Sequence, residues 1–201
     1  MSLRPDLAPI CEWIKPQSRI LDLGCGDGTL LDYLSTHAGV RGYGLEIDPA
    51  NVARCIARGI NVIQADIDFG LPEFETNSFD HVVMTQALQA LERPDEAIAE
   101  ILRVGRTGIV TFPNFGHWRV RLGLIAGRMP VTPALPSRWF DTPNIHLCTV
   151  DDFEALCASR GWRILDRHLL SRAHREGVAS RLAPNLMTEV AMYLLEAPAQ
   201  R

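Results

Sequence analysis

Leu21-Asp22-Leu23-Gly24-Cys25-Gly26-Asp27-Gly28-Thr29 is the stretch whose reading decides the fold. The apolar run at 19–23 ends in glycines at alternate positions. A largely apolar run suits a parallel strand buried on both faces. Glycines let the backbone turn sharply and let a ligand lie against it. Residues 29–37 follow, with Leu30, Leu31 and Leu34 on one helical face. The unit is strand, glycine turn, helix.

The same alternation runs outward from this unit. Upstream, residues 7–14 read as a short amphipathic helix stopped by Pro16. Downstream, 40–47 is a second strand. Asp48 then caps a helix reaching about residue 58, with Pro49 in its first position and Gly59 at its end. Strands are expected at 61–65, 79–84 and 107–112, with a helix at 94–104. A helix at 150–159 precedes two late strands at 162–170 and 186–196, joined by a polar connection at 171–184. Repeated β-α units predict an α/β, doubly wound, mostly parallel seven-stranded sheet, with a late hairpin closing it. Residues 113–149 break the pattern. They carry Pro113, Pro130, Pro133, Pro136 and Pro143, and their one expected helix is short, at 118–125. An irregular stretch of this length is usually functional. It is read as an insertion or lid within a single domain spanning 1–201.

Bulk composition narrows the function. With 201 residues, 47% hydrophobic and 22% charged, the chain is long enough for a full α/β core. A net charge of −4 argues against a nucleic-acid partner. Five cysteines, none spaced as C-x-x-C, signal neither a disulfide framework nor a zinc knuckle. No stretch approaches the roughly 20 apolar residues of a membrane span, and residues 1–6 carry no apolar signal core. A cytoplasmic protein with reduced thiols and no membrane or metal partner is expected.

The acids around the glycine loop indicate the ligand. A dinucleotide fingerprint is G-x-G-x-x-G, but here Thr29 stands at the third glycine position. Asp22, two residues before Gly24, would repel a pyrophosphate and attract an ammonium or sulfonium group. S-adenosylmethionine (AdoMet) offers both and has no phosphate. Glu46 lies 22 residues after Gly24, placed to accept ribose hydroxyls. Asp66, at the end of the third strand, is placed for the adenine amino group. Each acid alone equally suits a solvated strand end, and the three together make the argument.

Over about residues 15–112 these features resemble the class I AdoMet-dependent methyltransferases. The resemblance implies their Rossmann-like sheet, with AdoMet or S-adenosylhomocysteine as ligand. It places Asp22, Gly24 and Gly26 at the methionine moiety, Glu46 at the ribose and Asp66 near the adenine. Leu45, Ile47 and Ile67 become candidate ring contacts, and Gln86 a polar contact after the fourth strand.

The second half is more distinctive. It carries Thr85-Gln86-Ala87-Leu88-Gln89-Ala90, Thr111-Phe112-Pro113-Asn114-Phe115-Gly116-His117-Trp118, Gly127-Arg128-Met129-Pro130 and Trp139-Phe140-Asp141-Thr142-Pro143-Asn144-Ile145-His146-Leu147-Cys148-Thr149. These segments resemble the MetW family of methionine biosynthesis over nearly the whole chain. That resemblance implies a partner or regulator of a homoserine O-acyltransferase. The interleaved aromatics and arginines of 113–149 suit a protein interface, or a lid over the ligand.

Acceptor motifs are mostly absent. Met84-Thr85-Gln86-Ala87 is not the Asn-Pro-Pro-Tyr type, and no Pro-Cys nucleophile occurs. His117 and His146 are the candidate bases, although a histidine beside Trp118 equally suits a packed, hydrogen-bonded role. Gln86 and Gln89 are neutral and would orient an acceptor. Two functions therefore stand: an AdoMet-binding regulatory partner, or a small-molecule methyltransferase.

Overall fold

In a computed structural model, residues 7–171 and 177–198 are described. Residues 1–6, and the part of the expected polar connection at 172–176, lie outside them. The elements are α1 (Ile10–Trp13), β1 (Arg19–Leu23), α2 (Thr29–Ala38), β2 (Arg41–Glu46), α3 (Pro49–Ala57), β3 (Val62–Gln64), β4 (Phe79–Thr85), α4 (Pro94–Val104), β5 (Gly105–Pro113), α5 (Trp118–Ile125), α6 (Val150–Arg160), β6 (Arg163–Leu170), α7 (Val178–Leu182), α8 (Pro184–Met187) and β7 (Val190–Glu196).

The seven strands order as β3-β2-β1-β4-β5-β7-β6. The first five are parallel, and β7 runs antiparallel to both β5 and β6. One face packs Leu30, Leu31 and Leu34 of α2 with Ile10 and Cys55. The other packs Ile98, Ile101 and Leu102 of α4 with Val150 and Phe153 of α6. Helices on both faces make the sheet doubly wound, as expected. The chain leaves β1 toward one face and β4 toward the other, which opens a crevice between their carboxyl ends.

Several local expectations are corrected. The last strand starts at Val190 rather than 186, because Pro184 opens a short helix at its first position. It lies inside the sheet between β5 and β6, and the late pair is antiparallel and joined by a long connection, as expected. The first helix is shorter than 7–14, with Pro9 at its N-cap. Strand β5 follows α4 without a loop, since Gly105 starts it directly. A Cβ at Gly105 would sit 2.7 Å from the Thr107 carbonyl and 2.8 Å from Val82, so only glycine permits this junction.

Residues 113–149 hold α5 and otherwise little regular structure. Asn114 pins their start. Its amide donates to the Asn185 and Thr188 carbonyls, both at 2.8 Å, and its Oδ1 accepts the N–H of Gly116 at 2.9 Å and of Val150 at 3.2 Å. The far end is pinned by a capping box at α6, where Thr149 and Asp152 exchange hydrogen bonds. Beneath lies an aromatic cluster: Phe112 to Phe153 and Phe153 to Tyr193 are each 4.7 Å between ring centroids.

Candidate functional site

The glycine turn is clamped to the neighbouring strand. Gly24 and Cys25 both donate their N–H to the Leu45 carbonyl, at 2.8 and 3.0 Å. Gly24, Gly26 and Gly28 all take positive φ, at 69°, 57° and 77°. A Cβ built on Gly26 meets nothing within 4 Å, so its open side is a cradle rather than a packing contact. The turn borders a cleft of about 390 Å³ lined by Asp22, Gly24, Gly26, Asn51, Arg54 and Gln86, among others. That size falls within the roughly 300–1,000 Å³ of small-molecule sites. A larger cavity of about 460 Å³ lies at the opposite edge, beside Arg19 and Arg41 where the strands begin. Ligands of open α/β sheets bind beyond the carboxyl ends of the strands, which selects the cleft.

Asp22 sits at the floor of this cleft with 1% of its surface exposed. Its Oδ1 is buried and has no hydrogen-bond partner among the described residues. Burial, and secondarily the charge of Glu46, push its carboxyl up to about 7. A cationic ligand group beside it would hold it ionised.

Glu46 is also buried, but its carboxylate accepts three backbone hydrogen bonds. Its Oε2 accepts the Gly26 N–H at 2.8 Å, and its Oε1 accepts the N–H of Ile47 and of Asp48, both at 2.9 Å. A carboxylate has roughly four acceptor positions, so about one stays open toward a diol. On the far side of the turn Asp27 accepts from the Thr29 hydroxyl at 2.6 Å and pairs with Arg58 at 2.7 Å. The Thr29 hydroxyl, with help from Arg58, holds the Asp27 carboxyl below the usual carboxylate range. The thiol of Cys55 donates to the Gly26 carbonyl at 3.2 Å and lies 3.8 Å from the Cys25 sulfur. Burial raises both thiols, so they act as packing rather than as nucleophiles.

The remaining expected contacts spread out along the sheet edge. Ile47 is 60% exposed. Asp66 is half-buried and accepts the Asp68 N–H at 3.0 Å, capping a single 3-10 turn at Ile67–Phe69. Ile67 packs against the core. Glu46, Ile47, Asp66 and Ile67 are not among the residues lining the cleft. Gln86 does line it, in a left-handed conformation with φ 52°, its N–H held by the carbonyl and the hydroxyl of Thr111 at 3.0 Å each. Asn51 and Arg54, joined at 2.8 Å, are cleft residues that sequence reading passed over. They lie on α3 and carry no motif signal beyond its helical spacing.

Neither candidate base lines the cleft. His117 is buried at the N-cap of α5, tilted against Trp118, and desolvation lowers its basicity. His146 lines a second, smaller cavity, with Nε2 3.2 Å from the Glu92 carbonyl. Among the described residues no group of three or more His, Cys, Asp or Glu is placed to hold a metal, and no helix is long and apolar enough to cross a membrane. The 113–149 segment presents Trp139 at 73% and Phe140 at 62% exposure, edge to face at 5.6 Å. Arg138 lies over Phe140 and Arg119 over Trp118.

A doubly wound sheet of this strand order, with a glycine turn and acids at its carboxyl edge, defines the class I AdoMet-dependent methyltransferase fold. An S-adenosylmethionine-dependent methyltransferase from Mesorhizobium loti superposes with a TM-score of 0.70 at 17% identity, over 96% of this chain and 97% of its own. Phosphoethanolamine N-methyltransferase 2 from Haemonchus contortus, solved with S-adenosyl-L-methionine, gives 0.67 at 15% identity, over 96% of this chain and 52% of its own. Residues 4–195 match the family model described as methionine biosynthesis protein MetW, and the chain belongs to that family. A relative in Rhodopirellula baltica, the bifunctional methionine biosynthesis protein MetXA/MetW, is 36% identical over 78% of this chain. The match spans only 27% of that relative's length.

Proposed function

We propose that this chain holds AdoMet in the cleft between β1 and β4 and acts as a regulatory partner of a homoserine O-acyltransferase. The observation that carries the ligand reading is the buried, unpartnered Asp22 oxygen at the floor of a cleft that also holds Arg54. A zwitterionic amino-acid tail needs one acid and one guanidinium, and AdoMet has such a tail. In this reading Asp22 faces the ammonium group, Arg54 the carboxylate, Gly24 and Gly26 the chain between them, and Glu46 the ribose. Asp66, Ile67 and Ile47 would flank the adenine. AdoMet bound there would supply an electrophilic methyl group on a sulfonium.

Two features favour regulation over transfer. Both histidine bases lie away from the cleft lining. The R. baltica relative carries both MetXA and MetW in its name, in keeping with a partner of acyltransferase type. The exposed aromatics and arginines of 113–149 supply a face suited to such a partner. Free thiols at all five cysteines fit a cytoplasmic setting.

The test pairs this chain with a homoserine O-acyltransferase. Sedimentation should give a complex that is lost in the double variant Trp139→Ala/Phe140→Ala, with the variant's Tm unchanged. Acylation rates should depend on AdoMet only when this chain is present, since AdoMet acts through its differential affinity for the free and partnered states. No complex and no change in rate would overturn the partner reading. A labelled product from methyl-labelled AdoMet and metabolite extracts would replace it with a methyltransferase.

A further inference from the structure

A second cavity, of about 170 Å³, lies between the N-terminal ends of α4 and α6 at the carboxyl edge of β5. Its apolar walls include Leu88, Ile98, Phe112, Phe153 and Leu156, and its polar lining is Gln89, His146 and Asp152, whose carboxylate is taken up by the cap of α6. An apolar cavity of about 150 Å³ is enough to take a benzene-sized guest.

Gln89 gives this cavity its chemistry. It is 9% exposed, and its Oε1 is buried with no partner among the described residues. Its Nε2 donates to the Gln86 carbonyl at 2.6 Å. That contact fixes the amide orientation, because the flipped amide would set two carbonyl oxygens together. The backbone carbonyl of Gln89 is also occupied, accepting the N–H of Ile145 at 2.9 Å and of His146 at 3.0 Å. These two bonds hold the end of the 113–149 segment over the cavity. One buried acceptor on a residue of the cavity wall therefore remains without a donor among the described residues, a costly arrangement that a ligand donor would relieve.

We infer that this cavity is a binding site for a small amphiphile: an aliphatic body of about six to eight heavy atoms ending in one hydroxyl or amino donor to Gln89 Oε1. The inference is independent of the AdoMet reading. It uses no residue of the cleft beyond the Gln86 carbonyl.

Two isomers serve as probes, 1-pentanol and butyl methyl ether, which share a formula and differ in having a donor. Titrations followed by the side-chain NH2 signal of Gln89 and the amide of Phe153 report occupancy. Pentanol should bind the unaltered chain about tenfold or more tighter than the ether. In Gln89→Met that preference should vanish, and in Leu156→Trp, which fills the cavity, both probes should be lost. Equal binding of alcohol and ether to the unaltered chain would overturn the inference, as would failure of both to bind. Because that comparison needs no variant, a misfolded variant leaves the test intact.

Discussion

Glu46 accepts the Gly26 N–H through Oε2 at 2.8 Å, so one carboxylate at the end of β2 braces the turn that follows β1. The acid expected to meet a ligand is therefore also a structural strut. Glu46→Gln separates it from a purely ligand-facing acid. Its amide can still accept from Ile47 and Asp48, but its NH2 would face the Gly26 N–H. Losing charge-assisted bonds costs about 1.5–3 kcal/mol, or about 10- to 150-fold in AdoMet affinity. Calorimetry should show that loss, and thermal melting a Tm lower by several degrees. A variant with weakened binding and an unchanged Tm would mean that the brace contributes nothing.

Asp22→Asn should push binding and stability in opposite directions. With the folded carboxyl near 7 and the unfolded one at 3.8, the folded state holds the extra proton between those values. Stability contributed by the protonated form is present below the unfolded pKa, and it is lost as pH rises toward 7. The substituted amide has no charge to bury, so the variant should gain up to a few kcal/mol over the parent, most clearly at pH 7–8. AdoMet affinity should fall. Denaturation curves at pH 5 and pH 8 decide it, and a variant less stable at pH 8 would contradict the geometry.

AdoMet binding near pH 7 should also release protons. A cationic ligand group beside Asp22 pulls its carboxyl back toward the ionised form, so part of a proton leaves for each ligand bound. Calorimetry in two buffers of different ionisation enthalpy reads this directly. Proton uptake, or no linkage, would place the ammonium group elsewhere.

Asn114→Ala should be the most damaging single change outside the core. It strands two buried carbonyls and two N–H groups that Asn114 now satisfies. The expected loss is about 3–5 kcal/mol, or roughly 10 °C in Tm. Hydrogen exchange should rise at Gly116 and Val150 ahead of the β1–β4 core. Uniform loss of protection instead would mean that Asn114 does not act locally.

The parallel half of the sheet was legible because its chemistry is local. Strand β1 falls at Arg19–Leu23 as expected, since an apolar run ending in glycines has few alternatives. Asp48 and Pro49 marked the start of α3 for the same reason: a cap and a fixed φ act over one turn. The edge strand β6 falls at Arg163–Leu170, within a residue of the expected 162–170, although it is largely exposed. The start of the last strand was less legible, because Pro184 signalled a helix start that the expected strand masked. The place of Asp22 at the end of β1, beside the turn, was readable from the sequence. That Glu46 bonds the turn itself was not, because the contact depends on how two strand ends approach. Asn114 was visible only as a letter in a long motif, and Gln89 only as a neutral side chain after the fourth strand. Their roles come from partners up to 74 residues away.

The placement of β7 bears on how the chain is made. Among the described residues, strand β6 joins the sheet through β7 alone, and β5 reaches it across β7. On the ribosome, β1 to β5 can align as each emerges, but one side of β5 stays bare until residue 196 has left the exit tunnel. Phe112 and Val110, fully buried in the finished chain, wait on residues synthesised some eighty positions later. A stalled or clipped chain lacking Val190–Glu196 would offer a bare strand edge for pairing with another copy, so aggregation of such fragments is the specific hazard of this topology.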